Sequence, residues 1–208
     1  HTLIPMFAIP VYASEIKIKQ EFIDLVESEE YKRLAVNNGH LSKNTNILHK
    51  ETFSEIKTEI DNHVTYLTQT LLNVESYIEF EIKNSWIIKH DKGDFAQPHI
   101  HANSILSGIF YLQCNKDSGN LVLEKDHNYT NLFPPAIDVP VKERNVFNSK
   151  NWTFTPEPGN IFIFPSNLAH SVTTSNADID RYCIAFNVFP KGTLGLDIGE
   201  PLSVLNLS

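Results

Sequence analysis

The stretch PHIHANSILSGIFYL, residues 98–112, sets two histidines one residue apart directly ahead of a β-branched and aromatic run. In an extended strand residues i and i+2 share a face, so His99 and His101 are expected to offer two imidazoles to one side of a sheet. Two polar rings on a solvated strand face are one reading of that pair. The other is half of a metal site, and it requires a third donor from elsewhere in the chain.

The candidate donor is His170. In PEPGNIFIFPSNLAHSV, residues 156–172, an apolar strand ends at a Pro turn and the next strand begins with that histidine. A capping or half-buried histidine would look the same in isolation. Eleven residues on, RYCIAFN (181–187) places Arg181, Cys183, Ala185 and Asn187 on one strand face. One arginine beside small or neutral residues reads as a pocket wall with an anion anchor, and a solvated arginine is the plainer alternative.

Outward from these motifs the chain divides by periodicity. Ile18, Phe22, Leu25 and Val26 recur at helical spacing in 14–31, and Ile56, Ile60, Val64, Leu67 and Leu71 do so in 52–73, where Thr52 and Glu55 form a capping-box pattern. The polar, Asn-rich residues 34–50 between them read as a loop. From Tyr77 onward the period is two. Strands are expected at 77–83, 85–90, 97–103, 106–114, 120–125, 151–155, 160–164, 169–174 and 181–189. Residues 126–151 form a long, Pro- and Asn-bearing connection, expected to border the site as a lid or to run through solvent. The architecture expected is one domain over 1–208, mainly β with N-terminal helices, the helical part at about 14–73 and the β core at about 77–190.

Composition sets the remaining bounds. The 208 residues carry a formal charge of −8, which argues against broad capture of nucleic acid by a basic surface. No apolar run approaches the roughly 20 residues needed to span a bilayer, and the start HTLIPMFAIPVYASEIK has no basic region followed by a long apolar core. A cytoplasmic, reducing location is therefore expected. The only cysteines, Cys114 and Cys183, sit far apart inside strand-like runs and read as buried thiols.

Taken in order, NSWIIKHDKGDFAQPHIH (84–101), SGIFYL (107–112), PEPGNIFIFPSNLAHSV and RYCIAFN resemble the 2-oxoglutarate and Fe(II)-dependent oxygenases, in particular a branch from marine bacteria and their phages. The resemblance spans about Asn84 to Pro190, and for a phage-encoded member it would imply the host cytoplasm. It implies a double-stranded β-helix, the cupin-like jelly roll, holding Fe(II) at one open end. By position it makes His99 and His170 metal ligands and Arg181 the partner of the distal carboxylate of 2-oxoglutarate. Tyr111 and Ser107 match positions where relatives place hydroxyls against that carboxylate, and Asn187 and Asn103 join them by strand parity. His101 stands where most of the superfamily has Asp or Glu, so the implied triad is His99, His101 and His170, with Asp94 a fallback ligand that its turn, DKGDF, also explains. The implied reaction uses O₂ and 2-oxoglutarate to oxidise a C–H bond of an unspecified primary substrate, releasing succinate and CO₂, most simply as a hydroxylation. Phe110, Phe162, Phe164, Phe186 and Trp152 are candidates both for the lining of that chamber and for ordinary core. A three-histidine cupin-type dioxygenase without 2-oxoglutarate is one alternative, and a non-catalytic jelly-roll binding or virion protein is another. Arg181 is the residue that separates the leading reading from both. Oligomeric state stays open, a homo-oligomer included.

Overall fold

The computed structural model describes residues 2–5, 8–35, 38–125, 139–195 and 204–207. The N-terminal part contains strand β1 (Tyr12–Glu15), helix α1 (Gln20–Glu27), strands β2 (Tyr31–Arg33) and β3 (His40–Ser42), and two short 3-10 turns. Helix α2 (Ser54–Thr65) follows and runs into a π turn at Tyr66–Leu71. Then come β4 (Glu79–His90), β5 (Ala96–His99), β6 (Leu106–Gln113), β7 (Leu121–Glu124) and β8 (Asn151–Phe154). The chain closes with β9 (Asn160–Pro165), β10 (Ala169–Val172), β11 (Arg181–Leu194) and β12 (Leu205–Leu207). No helix among the described residues is long and apolar enough to cross a membrane.

The strands form two antiparallel sheets. The larger has the order β1-β9-β6-β11-β4-β3-β2, with β12 on the far end of β11, and the smaller has the order β5-β10-β7-β8. Strict alternation along the central strands gives the large sheet two apolar faces. Tyr182, Ile184, Phe186 and Val188 of β11 pack with Phe110 and Leu112 of β6 against Phe22 and Val26 of α1 and Ile56, Ile60 and Val64 of α2. On the opposite face Tyr111, Cys183, Phe162 and Phe164 meet Leu121 and Leu123 of the smaller sheet and Leu168 in the turn ahead of β10. The helices thus close one side of the sheet, and the cavity opens on the other.

Several expectations are corrected. The helical spacing read over 14–31 is split: Ser14 lies in β1, which pairs with β9, and helix begins only at Gln20. The sequence YASEI already alternates, and an open sheet edge captures it. Residues 34–50 contain β3 and a 3-10 turn rather than a plain loop. Helix α2 starts at Ser54 with Phe53 at its cap and no side-chain cap, so Thr52 and Glu55 do not form the expected box. The π turn then rotates the apolar stripe: Leu72 N–H bonds the carbonyl of Leu67, five residues back, and Leu71 faces solvent at 54% exposure.

The expected strands 77–83 and 85–90 are one strand. Asn187 faces Asn84 and Val188 faces Ile82, so Lys83 is an extra residue in β4. That bulge switches which parity faces inward: Ile82 and Ile87 both belong to the helix-side core. The segment expected as strand 97–103 is paired only as far as His99. Asn103 adopts a left-handed backbone (φ 55°) and turns the chain into β6, a conformation Asn accepts more readily than most residues. Of the long connection 126–151, residues 126–138 lie outside the described residues.

Gly108 of β6 lies under the Phe186 ring, where a Cβ would come 2.1 Å from Phe186 Cζ. Gly108→Ala is expected to destabilise the fold by about 1–3 kcal/mol, the typical cost of overpacking a filled core. The urea midpoint should fall without a change in slope, and adding Phe186→Leu should recover part of the loss.

Candidate functional site

Strand β10 lies between β5 and β7, and its register sets His170 directly opposite His99. Facing residues on antiparallel strands hold their Cβ atoms about 4.5–5.5 Å apart, so the pairing itself brings the two rings together. Their centroids are 4.3 Å apart. His101 reaches the same place without strand parity: its backbone N–H donates to the carbonyl of Ser166 at 2.9 Å, which ties it to the turn ahead of β10. Its ring lies 5.3 Å from His99 and 5.0 Å from His170. One ring nitrogen of each of the three histidines lies within 4.8 Å of the other two.

Hydrogen bonds set which nitrogen is available. His99 Nδ1 is 2.8 Å from the carbonyl of Gln97, and His170 Nδ1 is 3.0 Å from the carbonyl of Leu168. A carbonyl only accepts, so each Nδ1 carries the proton and each Nε2 keeps its lone pair. His101 Nδ1 lies 2.5 Å from Asn187 Oδ1 and 3.0 Å from Ser107 Oγ. Among the described residues, none of the three Nε2 atoms makes a hydrogen bond. Burial holds His101 below the usual imidazole range and lowers His170 to about 4, so both are neutral donors at neutral pH. A set of three convergent imidazole nitrogens matches the chemistry of a first-row divalent metal.

The other end of the cavity is built from three adjacent strands of the large sheet. Register aligns Arg181 with His90, Cys183 with Ile88 and Tyr111, Ala185 with Trp86 and Ile109, and Asn187 with Asn84 and Ser107. Arg181 is 1% exposed. Its Nη1 donates to His90 Nδ1 at 3.0 Å, and its Nη2 lies 3.4 Å from the Tyr111 hydroxyl and 3.7 Å from Cys183 Sγ. No carboxylate among the described residues pairs with it, and its Nε is buried without a partner. His90 is neutral, lowered to about 3 by its burial and by the guanidinium beside it. Burial raises the Tyr111 hydroxyl far above its usual range, so it is a proton donor. The result is a buried positive charge surrounded by neutral groups.

Both ends belong to one cavity of about 670 Å³, lined between them by Ile88, Ile109, Leu121, Phe164, Val172 and Ala185. No Asp or Glu is among its described lining residues.

Of the site residues expected from sequence, His99, His101 and His170 converge, and Tyr111 meets Arg181. Ser107 does not: it lies at the histidine end, donating to Asn187 Oδ1 at 2.9 Å, because register pairs it with Asn187, six residues from Arg181. Asn187 is likewise engaged with His101 rather than with an anion site. Asn103 is exposed and outside the cavity, since the strand whose parity was to aim it ends at His99. Asp94 is buried but belongs to Arg33, whose Nη1 and Nη2 grip its two oxygens at 2.7 and 2.5 Å, so it is no fallback ligand. Residues 139–150 do not line the cavity. Of the aromatic candidates, Phe164 lines it and packs on His170 at 4.9 Å, while Phe110, Phe162 and Phe186 are core and Trp152 is 47% exposed. Cys114 and Cys183 are buried free thiols. Two residues were missed, His90 beside Arg181 and Trp86 at 5.6 Å from His101. Their signal lies in WIIKH: Trp86, Ile88 and His90 share one strand face.

The family described as "Putative 2OG-Fe(II) oxygenase" matches residues 84–187, half of the chain. A comparison with curated proteins returns no match. Among solved structures, the chain is similar to the α-ketoglutarate-dependent epimerase SnoN from nogalamycin biosynthesis, at 12% identity and TM-score 0.63 over 96% of this chain and 91% of that one. It is similar to HygX from Streptomyces hygroscopicus, solved with nickel and 2-oxoglutarate bound, at 8% identity and TM-score 0.58 over 86% and 82%. A 2OG-Fe(II) oxygenase family protein from Burkholderia pseudomallei matches at 14% identity and TM-score 0.56 over 81% and 76%. At these identities the likeness establishes the fold, the jelly roll.

The neutral histidines make the metal-free protein sensitive to acid. His170 has a folded-state value near 4 against 6.5 for an ordinary imidazole, so the unfolded chain binds the proton first and stability falls as pH drops through that window. His170→Asn should move the midpoint of acid unfolding, followed by far-UV circular dichroism, to lower pH.

Proposed function

The chain belongs to the family of 2OG-Fe(II) oxygenases, and on that premise we propose that its cavity has two anchors. His99, His101 and His170 hold Fe(II) through Nε2, and Arg181 with Tyr111 takes the distal carboxylate of 2-oxoglutarate. The reaction proposed is hydroxylation of a C–H bond in a second substrate.

One observation carries this reading. A fully buried guanidinium with only neutral partners shares a cavity with three convergent nitrogen lone pairs. Leaving a buried charge without a counter-ion costs several kcal/mol, and such a cost is tolerated where a ligand supplies the missing charge. A dicarboxylate co-substrate supplies it, and a metal site alone would not call for it. Between the anchors the wall carries Cys183 and Ala185, whose short side chains leave room for a slender diacid.

When bound, Fe(II) with 2-oxoglutarate supplies the activation of O₂, with succinate and CO₂ as by-products. The chain's own part is positional. Gln97 and Leu168 carbonyls hold the Nδ1 protons of His99 and His170 and keep their Nε2 atoms aimed into the cavity. His90 accepts from Arg181 Nη1 without neutralising it, which leaves the full charge for the co-substrate. Tyr111 adds a hydroxyl proton at the same carboxylate. Leu121, Val172, Phe164, Ile88 and Ile109 exclude water from the space between. The N-terminal helices and the strands act as one unit in this reading, because their side chains share a core.

Anaerobic addition of Fe(II) and then 2-oxoglutarate is expected to produce the weak visible band of the iron chelate, and its absence in a protein that binds both would overturn the reading. Arg181→Ala should raise the 2-oxoglutarate concentration needed for half-maximal band intensity by roughly 30- to several-thousand-fold, the equivalent of about 2–5 kcal/mol for an unpaired buried carboxylate. Affinity for the metal alone should be nearly unchanged. Equal 2-oxoglutarate titration curves for wild type and variant would remove Arg181 from the site.

A further inference from the structure

We propose that Asn187 is the positioning residue that makes His101 a metal donor, a proposal that rests on the three-histidine reading above. His99 and His170 need no such help, since each has its Nδ1 against a backbone carbonyl, which can only accept. His101 lies past the end of β5 and has no carbonyl at its Nδ1. Its Nδ1 neighbours are two side chains, Asn187 Oδ1 at 2.5 Å and Ser107 Oγ at 3.0 Å.

An amide side chain can present either an acceptor oxygen or a donor nitrogen, and the two choices give opposite tautomers of His101. With Oδ1 toward the ring, Nδ1 carries the proton and Nε2 is free for a metal. With Nδ2 toward the ring, Nε2 would carry a proton aimed at the other two histidines. The structure has the first arrangement, with Oδ1 toward the ring and a chain of hydroxyls beside it. Ser104 Oγ donates to the carbonyl of Leu106 at 2.8 Å, which commits its single proton. Ser166 Oγ donates to Ser104 Oγ at 2.8 Å, which commits the next. Ser107 Oγ lies 2.9 Å from both Ser166 Oγ and Asn187 Oδ1, so its single proton is shared between two acceptors. Oδ1 lies 2.5 Å from His101 Nδ1 and accepts its proton. Ser107 and Asn187 are both buried, at 1% and 8% exposure, so water does not compete for these bonds.

Asn187 also sits where the constraint is mechanical. It faces Ser107 on β6 and Asn84 on β4, next to the Lys83 bulge, so its Cα is held from both sides. A His at the superfamily's usual carboxylate position is thereby steered by a neutral acceptor on the opposite sheet.

The test uses the intact metal-free protein and Ni(II) as the probe. Long-range ¹H–¹⁵N spectra of the histidine rings should show His101 protonated at Nδ1 in wild type. Asn187→Leu, which removes the acceptor at similar volume, should leave His101 as a tautomer mixture and weaken Ni(II) binding in calorimetry by about 10- to 100-fold. Asn187→Asp, which keeps an acceptor in place, should preserve the Nδ1 proton and bind Ni(II) at least as tightly as wild type. Ser107→Ala should shift the tautomer ratio in the same direction as Asn187→Leu by less, and it decides the matter if the leucine variant does not fold. His101 protonated at Nε2 in wild type, or Asn187→Leu with an unchanged ratio and Ni(II) affinity, would overturn the proposal. Wild type that binds no Ni(II) would count against the three-histidine reading instead, and the ring spectra would still decide the role of Asn187.

Discussion

Strand β11 is hydrogen-bonded along both edges, to β4 and to β6, and its side chains alternate between helix-side core and cavity. A slip of one residue would turn Arg181, Cys183, Ala185 and Asn187 into the core and push Ile184 and Phe186 into the cavity. The cost of burying an arginine among Phe22, Ile56 and Ile60 makes that register the only affordable one. The cavity wall and the hydrophobic core are therefore specified by the same alternation. The second sheet depends on this arrangement, because His170 and Leu121 are placed against a wall whose composition β11 has already decided.

The site is organised around unlike solutions to one electrostatic problem. At one end, His101 and His170 stay neutral because burial disfavours their charged form. At the other end Arg181 cannot shed its proton, and the surroundings give it dipoles instead of a counter-ion. His90 does this at a cost, since its own Nε2 is buried without a partner. Asp94, four residues on, is bound by Arg33 instead, so the nearest buried carboxylate is kept from neutralising the anchor. The free protein thus carries unfavourable burial that a dianion would relieve, a common trade between stability and function.

Much of this was legible in the sequence, for identifiable reasons. The spacing of two between His99 and His101, the return of His170 after a Pro turn, and the small residues that follow Arg181 all survive folding, because strand alternation and register translate spacing into position. What was not legible depended on departures from ideal period. The Lys83 bulge hid the inward face of Trp86, Ile88 and His90 by shifting parity in mid-strand. The turn at Asn103 sent that residue outward and left His101 to be placed by a backbone bond to Ser166, a contact between segments far apart in sequence. Ser107 shares a strand face with Tyr111, yet four residues of extended chain separate a hydroxyl near the guanidinium from one near a histidine. At the N-terminus, Ser14 and Glu15 of β1 read as the start of a helix because an edge strand is decided by the neighbour that recruits it.

The Lys83 bulge has a bearing on how such a chain can change over generations. Residues before it and after it in β4 are written in opposite phases, so the strand's length is a piece of information separate from its composition. Losing one residue between Ile82 and Ser85 would exchange solvent-facing, core-facing and cavity-facing positions along half the strand, whatever the residues were. Point substitutions in β4 are thus local events, whereas a single-codon deletion is a rearrangement of the whole sheet. The tolerance of this scaffold to insertion and deletion should accordingly lie in its turns, such as the one at Asp91–Asp94 or the long connection before β8, and not in the strand that closes the cavity floor.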